Sequence, residues 1–299
     1  MMPAIDFSQM TSAETSLPWY ETTTVLESSS HESPNQETGL CSCTLRIKVP
    51  DALRVRELYS PLLQWIDPMF QLIHVDEGGR ENDKKRHNRH RDSADSCEPT
   101  MGVRTQSLSV ILFLRNDGQS QPTADSATDY LSTPPWQFHH KIELTSRANL
   151  RVVARQVFFA SSPGYELPLW SVCPIHCGKE QLRFNIFVND FTGMKAFYSA
   201  LVGADPSASK PGFCVFQLYS QPGLEIQLSL KHSPCLIPQL TEAATLSFVV
   251  NNISELRKVL PNKVTKHVTG TWRTRDTDGN EVLLLCDSSR NGTRLPQIV

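Results

Sequence analysis

Leu182-Arg-Phe-Asn-Ile-Phe-Val188, with Asn189-Asp190 and an apolar-striped run from Met194 to Val202 behind it, has a counterpart later in the chain. The counterpart is Leu246-Ser-Phe-Val-Val250, then Asn251-Asn252, then Ile253 to Leu260. Each reads as a strand, a polar pair and an amphipathic helix, because the apolar period changes from two residues to about 3.6 across the pair. Met194, Phe197, Tyr198 and Leu201 form the first helical stripe. Asn252 and Glu255 have capping-box spacing before the second helix, and Pro261 ends it. Each copy closes on a hairpin strand, Leu224–Leu230 and Glu281–Cys286, reached through the turn signals Gln221-Pro-Gly223 and Asp276-Thr-Asp-Gly-Asn280. Aligning the polar pairs sets Arg183 against Thr245. The reading is an α+β chain built of tandem strand–helix–three-strand (βαβββ) units over 182–231 and 245–286.

Working outward, Thr44-Leu-Arg-Ile-Lys-Val49 alternates as a half-buried strand, and Asp51 is placed to cap a helix with Val55, Leu58, Leu62 and Ile66 on one face. Phe70–Val75, the apolar run Leu108–Leu114, and Trp136–Leu144 read as strands. Together they predict a further unit over 44–147, broken by polar insertions at 78–106 and 116–133 that carry too little apolar surface to pack. Residues 148–286 group as a bridge plus the paired units. Val152–Phe159 fits strand or helix equally, and Leu167–Val172 reads as extended. Residues 1–43 hold six acids and neither lysine nor arginine, a composition expected to stay disordered. The apolar island Leu17-Pro-Trp-Tyr20 is a candidate docking motif within that tail, and 287–299 is expected to fray.

The 299 residues set a prior of about two domains. A net charge of -2 argues against a polyanion-binding chain. No apolar run reaches the roughly 18 residues of a membrane span. The first 40 residues lack the basic and apolar regions of a signal peptide. The expected location is therefore nuclear and/or cytoplasmic, with the eight cysteines reduced. The sequons at Asn252 and Asn291 then read as chance matches.

Tandem units with Asp-x-Asp-Gly-Asn before the last strand resemble the vicinal-oxygen-chelate superfamily, which includes glyoxalase I and bleomycin-resistance proteins. Pro134-Pro-Trp-Gln-Phe-His-His140, Pro168-Leu-Trp170, Gly178-Lys-Glu180, Phe197-Tyr198, Phe213-Cys-Val-Phe216 and Ile226-Gln-Leu-Ser-Leu-Lys231 resemble the animal proteins called "family with sequence similarity 124". That resemblance implies a glyoxalase-like core and no established activity. The superfamily resemblance implies paired units curled into a cleft, with a divalent metal held by His, Glu or Gln on the first and last strands. The corresponding positions here are Arg183, Gln227, Thr245 and Leu283. Leucine has no donor and arginine keeps its proton, so the expectation is no metal and no cofactor. The polar alternates Arg183, Asn185, Glu225, Gln227, Thr245, Ser247 and Glu281 form the candidate groove. It is either a binding surface or a solvated face with Arg183 paired to Glu225 or Glu281.

Cys173-Pro-Ile-His-Cys177 offers zinc donors, without the second knuckle a zinc site requires. His139, His140, His176 and Cys177 are the candidates for a relocated metal set. Lys84, Lys85, Arg86, Arg89 and Arg91 form a localisation-like basic run, diluted by flanking acids; direct nucleic-acid binding is not expected from so neutral a chain. The functional expectation is a non-enzymatic interaction protein with unidentified protein partners. A metal-free small-molecule binder and a metal-dependent lyase or dioxygenase are the alternatives.

Overall fold

The computed structural model describes residues 42–78, 102–117, 121–145, 152–161, 166–268 and 270–286. The expected disorder of the N-terminal tail lies outside them except at its end, where Cys43 is buried as the first residue of a strand; the apolar island, the basic run at 84–91 and the C-terminal tail also lie outside. The chain opens with β1 (Cys43–Val49), α1 (Ala52–Leu63) and β2 (Ile73–Glu77). Asp51 caps α1 as expected, accepting from the Arg54 amide at 3.0 Å. There follow β3 (Val103–Gln106), β4 (Leu108–Leu114), α2 (Ala124–Leu131), β5 (Trp136–Thr145), β6 (Val152–Ser161) and β7 (Leu169–Pro174). The next unit is β8 (Glu180–Val188), α3 (Phe191–Val202), β9 (Ala208–Lys210), β10 (Phe213–Gln221) and β11 (Leu224–His232). The last comprises β12 (Leu236–Gln239), β13 (Ala244–Val250), α4 (Ile253–Val259), β14 (Thr265–Val268), β15 (Thr271–Arg275) and β16 (Glu281–Cys286).

One rule of pairing organises these elements. In each unit the first strand lies parallel to the last: β4 with β7, β8 with β11, β13 with β16, and β1 with β2. First strands then pair antiparallel between units, β4 with β8 and β1 with β13. The products are an eight-stranded sheet ordered β5-β6-β7-β4-β8-β11-β10-β9 and a six-stranded sheet ordered β14-β15-β16-β13-β1-β2. The tandem-unit, curled-sheet α+β fold therefore holds, but its partnerships differ from those expected.

The copies at 182–231 and 245–286 do not pair with one another; each takes a partner from the first half of the chain. The unit expected over 44–147 is two units. One, 43–77, is a strand–helix–strand fragment; the other, 108–174, is complete. The polar stretch 116–133 is no loop insertion, since it contains α2, which buries Ala124, Ala127 and Leu131. Residues 103–106 of the other insertion form β3, which pairs with β12. The apolar run Leu108–Leu114 is buried at every position. Only a central strand covered on both faces can accommodate that pattern.

The helix-facing sides of both sheets contribute to one large apolar cluster, in which Leu45, Leu112, Phe184, Ile186, Phe197, Phe248 and Leu284 are all buried. Each such side chain contributes about 1.5–3 kcal/mol over its exposed state. A second cluster lies on the opposite face of the eight-stranded sheet: Ile111, Phe113, Phe158, Leu169, Cys173, Phe187 and, from β12, Leu236. The shortened unit leaves β2 as an edge of its sheet. Two side chains occupy its outward backbone groups. The Asp67 carboxylate accepts from the amides of Leu72 and Ile73, each at 2.9 Å, and Arg56 donates Nε and Nη2 to the Val75 carbonyl. Side chains that occupy an edge in this way discourage pairing with other chains.

Candidate functional site

The second cluster surrounds the polar residues that the sequence singles out. Strand register sets Gln227, Arg183, Ile111 and Ser171 side by side across β11, β8, β4 and β7. Asn185 lies level with Ser229 and Ser109 in the next row. It donates to Ser109 Oγ at 3.0 Å and accepts from Ser229 Oγ at 2.8 Å. Lys231 continues the same side of β11. Arg183 is only 8% exposed, Lys231 5% and His140 4%. The expected solvated face is instead a closed interior. The physical reason is Phe113, Phe158, Phe187 and Leu236, which cover it.

Arg183 pairs with neither Glu225 nor Glu281. Its Nε donates to Gln227 Oε1 at 2.9 Å, Nη2 donates to Gln181 Oε1 at 3.2 Å, and the guanidinium sits 4.3 Å from the centre of the Phe113 ring. Glu225 is reached only through Gln227, whose Nε2 donates to Glu225 Oε2 at 3.1 Å. Burial pulls the Arg183 guanidinium down to about 10, partly opposed by Cys173 and Glu225. Burial also lowers Lys231 to about 7, with Arg183 acting in the same direction and Cys173 against it. His140 falls to about 3 through burial, then through His139 and Lys231, so it is a neutral imidazole near pH 7. It stacks on Phe158 at 4.7 Å with the planes 9° apart, and its Nδ1 lies 2.8 Å from Nδ1 of His139. Among the described residues, His140 Nε2 and Ser171 Oγ are buried on this side without a hydrogen-bond partner.

The remaining groove candidates belong to the other sheet, so the seven residues divide into Arg183, Asn185, Glu225 and Gln227 on one sheet and Thr245, Ser247 and Glu281 on the other. Arg46 lies between Thr245 and His74. Leu283 is level with Ser247, not Thr245. The register Leu246↔Val282 puts Glu281 beside Thr245, two residues from the expected position. This face is more open: Glu281 and Lys48 are exposed, and Arg46, His74 and Thr245 half-buried. Burial and Arg46 hold the His74 imidazole below its usual range, with Asp76 opposing them.

A family model described as the FAM124 domain matches residues 41–285. The chain belongs to the FAM124 family. Human Protein FAM124A is 34% identical over 234 residues, covering 77% of this chain and 40% of that protein. Mouse Protein FAM124B is 29% identical over 239 residues, covering 78% of this chain and 49% of that protein. The FAM124 chain thus spans less than half the length of these relatives. Among solved structures, glyoxalase I from Zea mays aligns over 83% of this chain and 95% of its own, at 11% identity and a TM-score of 0.42. A glyoxalase/bleomycin resistance protein from Catenulispora acidiphila covers 36% of this chain, at 20% identity and a TM-score of 0.27.

The divalent metal implied by the superfamily resemblance does not fit the buried row of this FAM124 chain. Ile111 has no donor, Ser171 is a hydroxyl, and the Gln227 oxygen is already bonded to Arg183. A guanidinium about 4 Å from a divalent ion would cost on the order of 8 kcal/mol at an effective dielectric near 20. The relocated set does not assemble either. His139 and His140 are on β5, while His176 and Cys177 are exposed beyond β7. Among the described residues no group of three or more His, Cys, Asp or Glu is placed to hold a metal ion. The orphaned atoms of His140 and Ser171 are what sequence reading missed. The signal was the apolar run of β4, interrupted only by Ser109, which announces burial of both sheet faces.

Proposed function

We propose that this FAM124-family chain is a non-enzymatic binding protein that retains a glyoxalase-like scaffold and works without its metal. One observation carries the reading: a buried arginine, Arg183, stands in the row where the first and last strands of two units meet. Its amide neighbours are already engaged with it. A cation fixed there occupies electrostatically the place a chelated ion would take.

The test is elemental analysis of the purified full chain after exposure to zinc, nickel, iron and manganese, followed by dialysis. Retention of far less than one ion per chain is expected. One tightly held ion per chain, released by substitutions in the row, would sink the reading.

Protein binding, the more specific form of this proposal, is favoured by the six-stranded sheet. Its open side carries Arg46, Lys48, Arg273 and Arg275 against Asp76 and Glu281. Lys263, Arg273, Arg275 and Glu281 line a pocket of about 350 Å³ there. The partner chemistry is an acidic peptide. Arg273→Glu combined with Arg275→Glu should abolish retention of a poly-glutamate peptide at low salt, and equal retention by the two proteins would remove this reading.

A further inference from the structure

We propose that the open face of the six-stranded sheet takes an extended peptide laid across its strands, with an aromatic side chain seated beside β2 and carboxylates further along on Arg46 and Arg275. This inference rests on the acidic-peptide reading above and adds the anchor and the spacing of the acids.

Strand register sets the path. His74, Arg46, Thr245, Glu281 and Arg275 stand side by side across β2, β1, β13, β16 and β15. Neighbouring strands are about 4.8 Å apart, so the row is roughly 19 Å long, and an extended chain at about 3.3 Å per residue crosses it in about six steps. Each end of the row meets a cavity. The one at β2 measures about 380 Å³, with Pro68, Met69, Phe70, His74 and Asp76 in its lining. The one at β15 measures about 350 Å³, with Lys263, Arg273, Arg275 and Glu281 in its lining. Asp67 and Arg56 already occupy outward backbone groups of β2, so the peptide crosses the face instead of extending the sheet at that edge.

The two ends differ in chemistry. At β2 the apolar residues sit on a held loop. Met69 is 75% exposed, whereas Asp67 is 4% exposed and accepts from the amides of Gln71 at 2.6 Å and of Leu72 and Ile73 at 2.9 Å. Phe70 is thereby kept at φ 54°, a left-handed backbone that bulky residues rarely adopt and that concentrates at ligand clamps. Burial, then Arg46, hold His74 below its usual range, so this end gains no cation from it near neutral pH. The β15 end is cationic. Among the described residues, no carboxylate is ion-paired with Arg46, Lys263, Arg273 or Arg275. Glu281, between Thr245 and Arg275, repels an acid at the middle of the path. Alternate residues of an extended peptide face the sheet. The pattern is therefore an aromatic residue, an acid two places on over Arg46, and an acid four places further over Arg275, because three strand spacings of about 14 Å match four extended residues.

The experiment measures binding of capped peptides to the full chain by calorimetry at low salt. The probes are Trp-Gly-Glu-Gly-Gly-Gly-Glu and its reversed sequence, each also with glycine in place of tryptophan, and Trp-Gly-Gly-Gly-Gly-Glu-Glu with its reverse, in which the acids are adjacent. One of the two spaced probes is expected to bind about tenfold tighter than its glycine counterpart, the effect of a single aromatic anchor. It should also bind several-fold tighter than the adjacent-acid probe. Met69→Asp, at an exposed position, should remove the advantage of tryptophan and leave retention of poly-glutamate unchanged. Arg46→Glu should remove the advantage of spaced acids. Equal binding with and without tryptophan, or with spaced and adjacent acids, overturns the proposal in the wild-type protein. Poly-glutamate retention that still depends on Arg273 and Arg275 would then leave the acidic-peptide reading standing, so the two fail separately. A wild-type dimer that Met69→Asp dissociates would put a second copy of the chain on this face, and that too overturns the proposal.

Discussion

Two sheets built by one pairing rule have opposite interiors. Positions 183, 185 and 187 on β8 correspond through the repeat to 245, 247 and 249 on β13. The first set lies in a closed space; the second faces an open one, with Thr245 and Val249 half-buried. The difference comes from the partner each unit recruits. The unit at 180–232 pairs with a complete one, which brings Ile111, Phe113, Phe158 and Leu169 onto the face. The unit at 244–286 pairs with a fragment that offers only β1 and β2, whose residues on that side are Thr44, Arg46, Lys48, His74 and Asp76. Whether Arg183 is a buried anchor or a surface charge is thus decided by β4 to β7, not by the strand that carries it.

The largest test of this comparison is a matched pair of truncations. Phe187 is 1% exposed and its cluster has no ready means of collapse. Phe187→Ala should lower unfolding stability by about 3–5 kcal/mol. Val249→Ala, at the corresponding place in the open sheet, should lower it by about 1 kcal/mol, roughly one buried methylene. Guanidinium denaturation of both variants measures the difference. Equal losses would mean that the two faces are equally closed.

A smaller effect tests the joint between the halves. Asp276, at the β15–β16 turn, accepts from the Asn280 amide at 2.9 Å and from Tyr198 of α3 at 3.1 Å. Burial raises its carboxyl from the ordinary 3.8 to about 6, against the hydrogen bonds from Asn280 and Tyr198 and with a further upward push from Asp278. The fold therefore binds this proton more tightly than the unfolded chain does. The contribution is fully present below about pH 4 and is lost as pH rises through about 6. It amounts to on the order of 3 kcal/mol at 1.36 kcal/mol per unit. In Asp276→Asn the slope of stability between pH 4 and 6 should flatten, as read by urea midpoints across that range. An unchanged slope would assign the proton to another group.

What the sequence displayed, and what it hid, follows from the range of the interactions. The strand–polar pair–helix pattern of 182–202 and 246–260 is local, and so were the caps at Asp51 and Asn252, which the structure retains. Helix α2 was hidden because its buried side is Ala124, Ala127 and Leu131, too little apolar surface to stand out from a polar stretch. The choice of partner was hidden for another reason. Alternation reports that a strand has a covered face, not which strand will lie beside it. The expected pairing of neighbouring copies accordingly gave way to pairing across the chain. The candidate residues were legible as one face of each strand, whereas the burial of Arg183 depends on β3–β12 and on rings from β4 and β6, all remote in sequence.

The finest distinction between the sheets is in their hydrogen bonds. Asn185 and Ser247 correspond in the repeat and are both 1% exposed. Asn185 is held on both sides, by Ser109 and by Ser229. Ser247 Oγ has no partner. Removing a buried group costs mainly through the partners it leaves unmet. Asn185→Ala strands the Ser229 hydroxyl and removes the donor to Ser109, whose own bond to the Asn185 carbonyl remains, and should cost about 1–3 kcal/mol. Ser247→Ala strands none and should change stability by less than about 0.5 kcal/mol, or raise it slightly, since an unmatched hydroxyl is exchanged for a methyl group. A loss of more than 1 kcal/mol in Ser247→Ala would show that its hydroxyl is bonded in solution. The six-stranded sheet would then hold a polar network like that around Asn185, and the contrast between the two interiors would shrink to their aromatic rings.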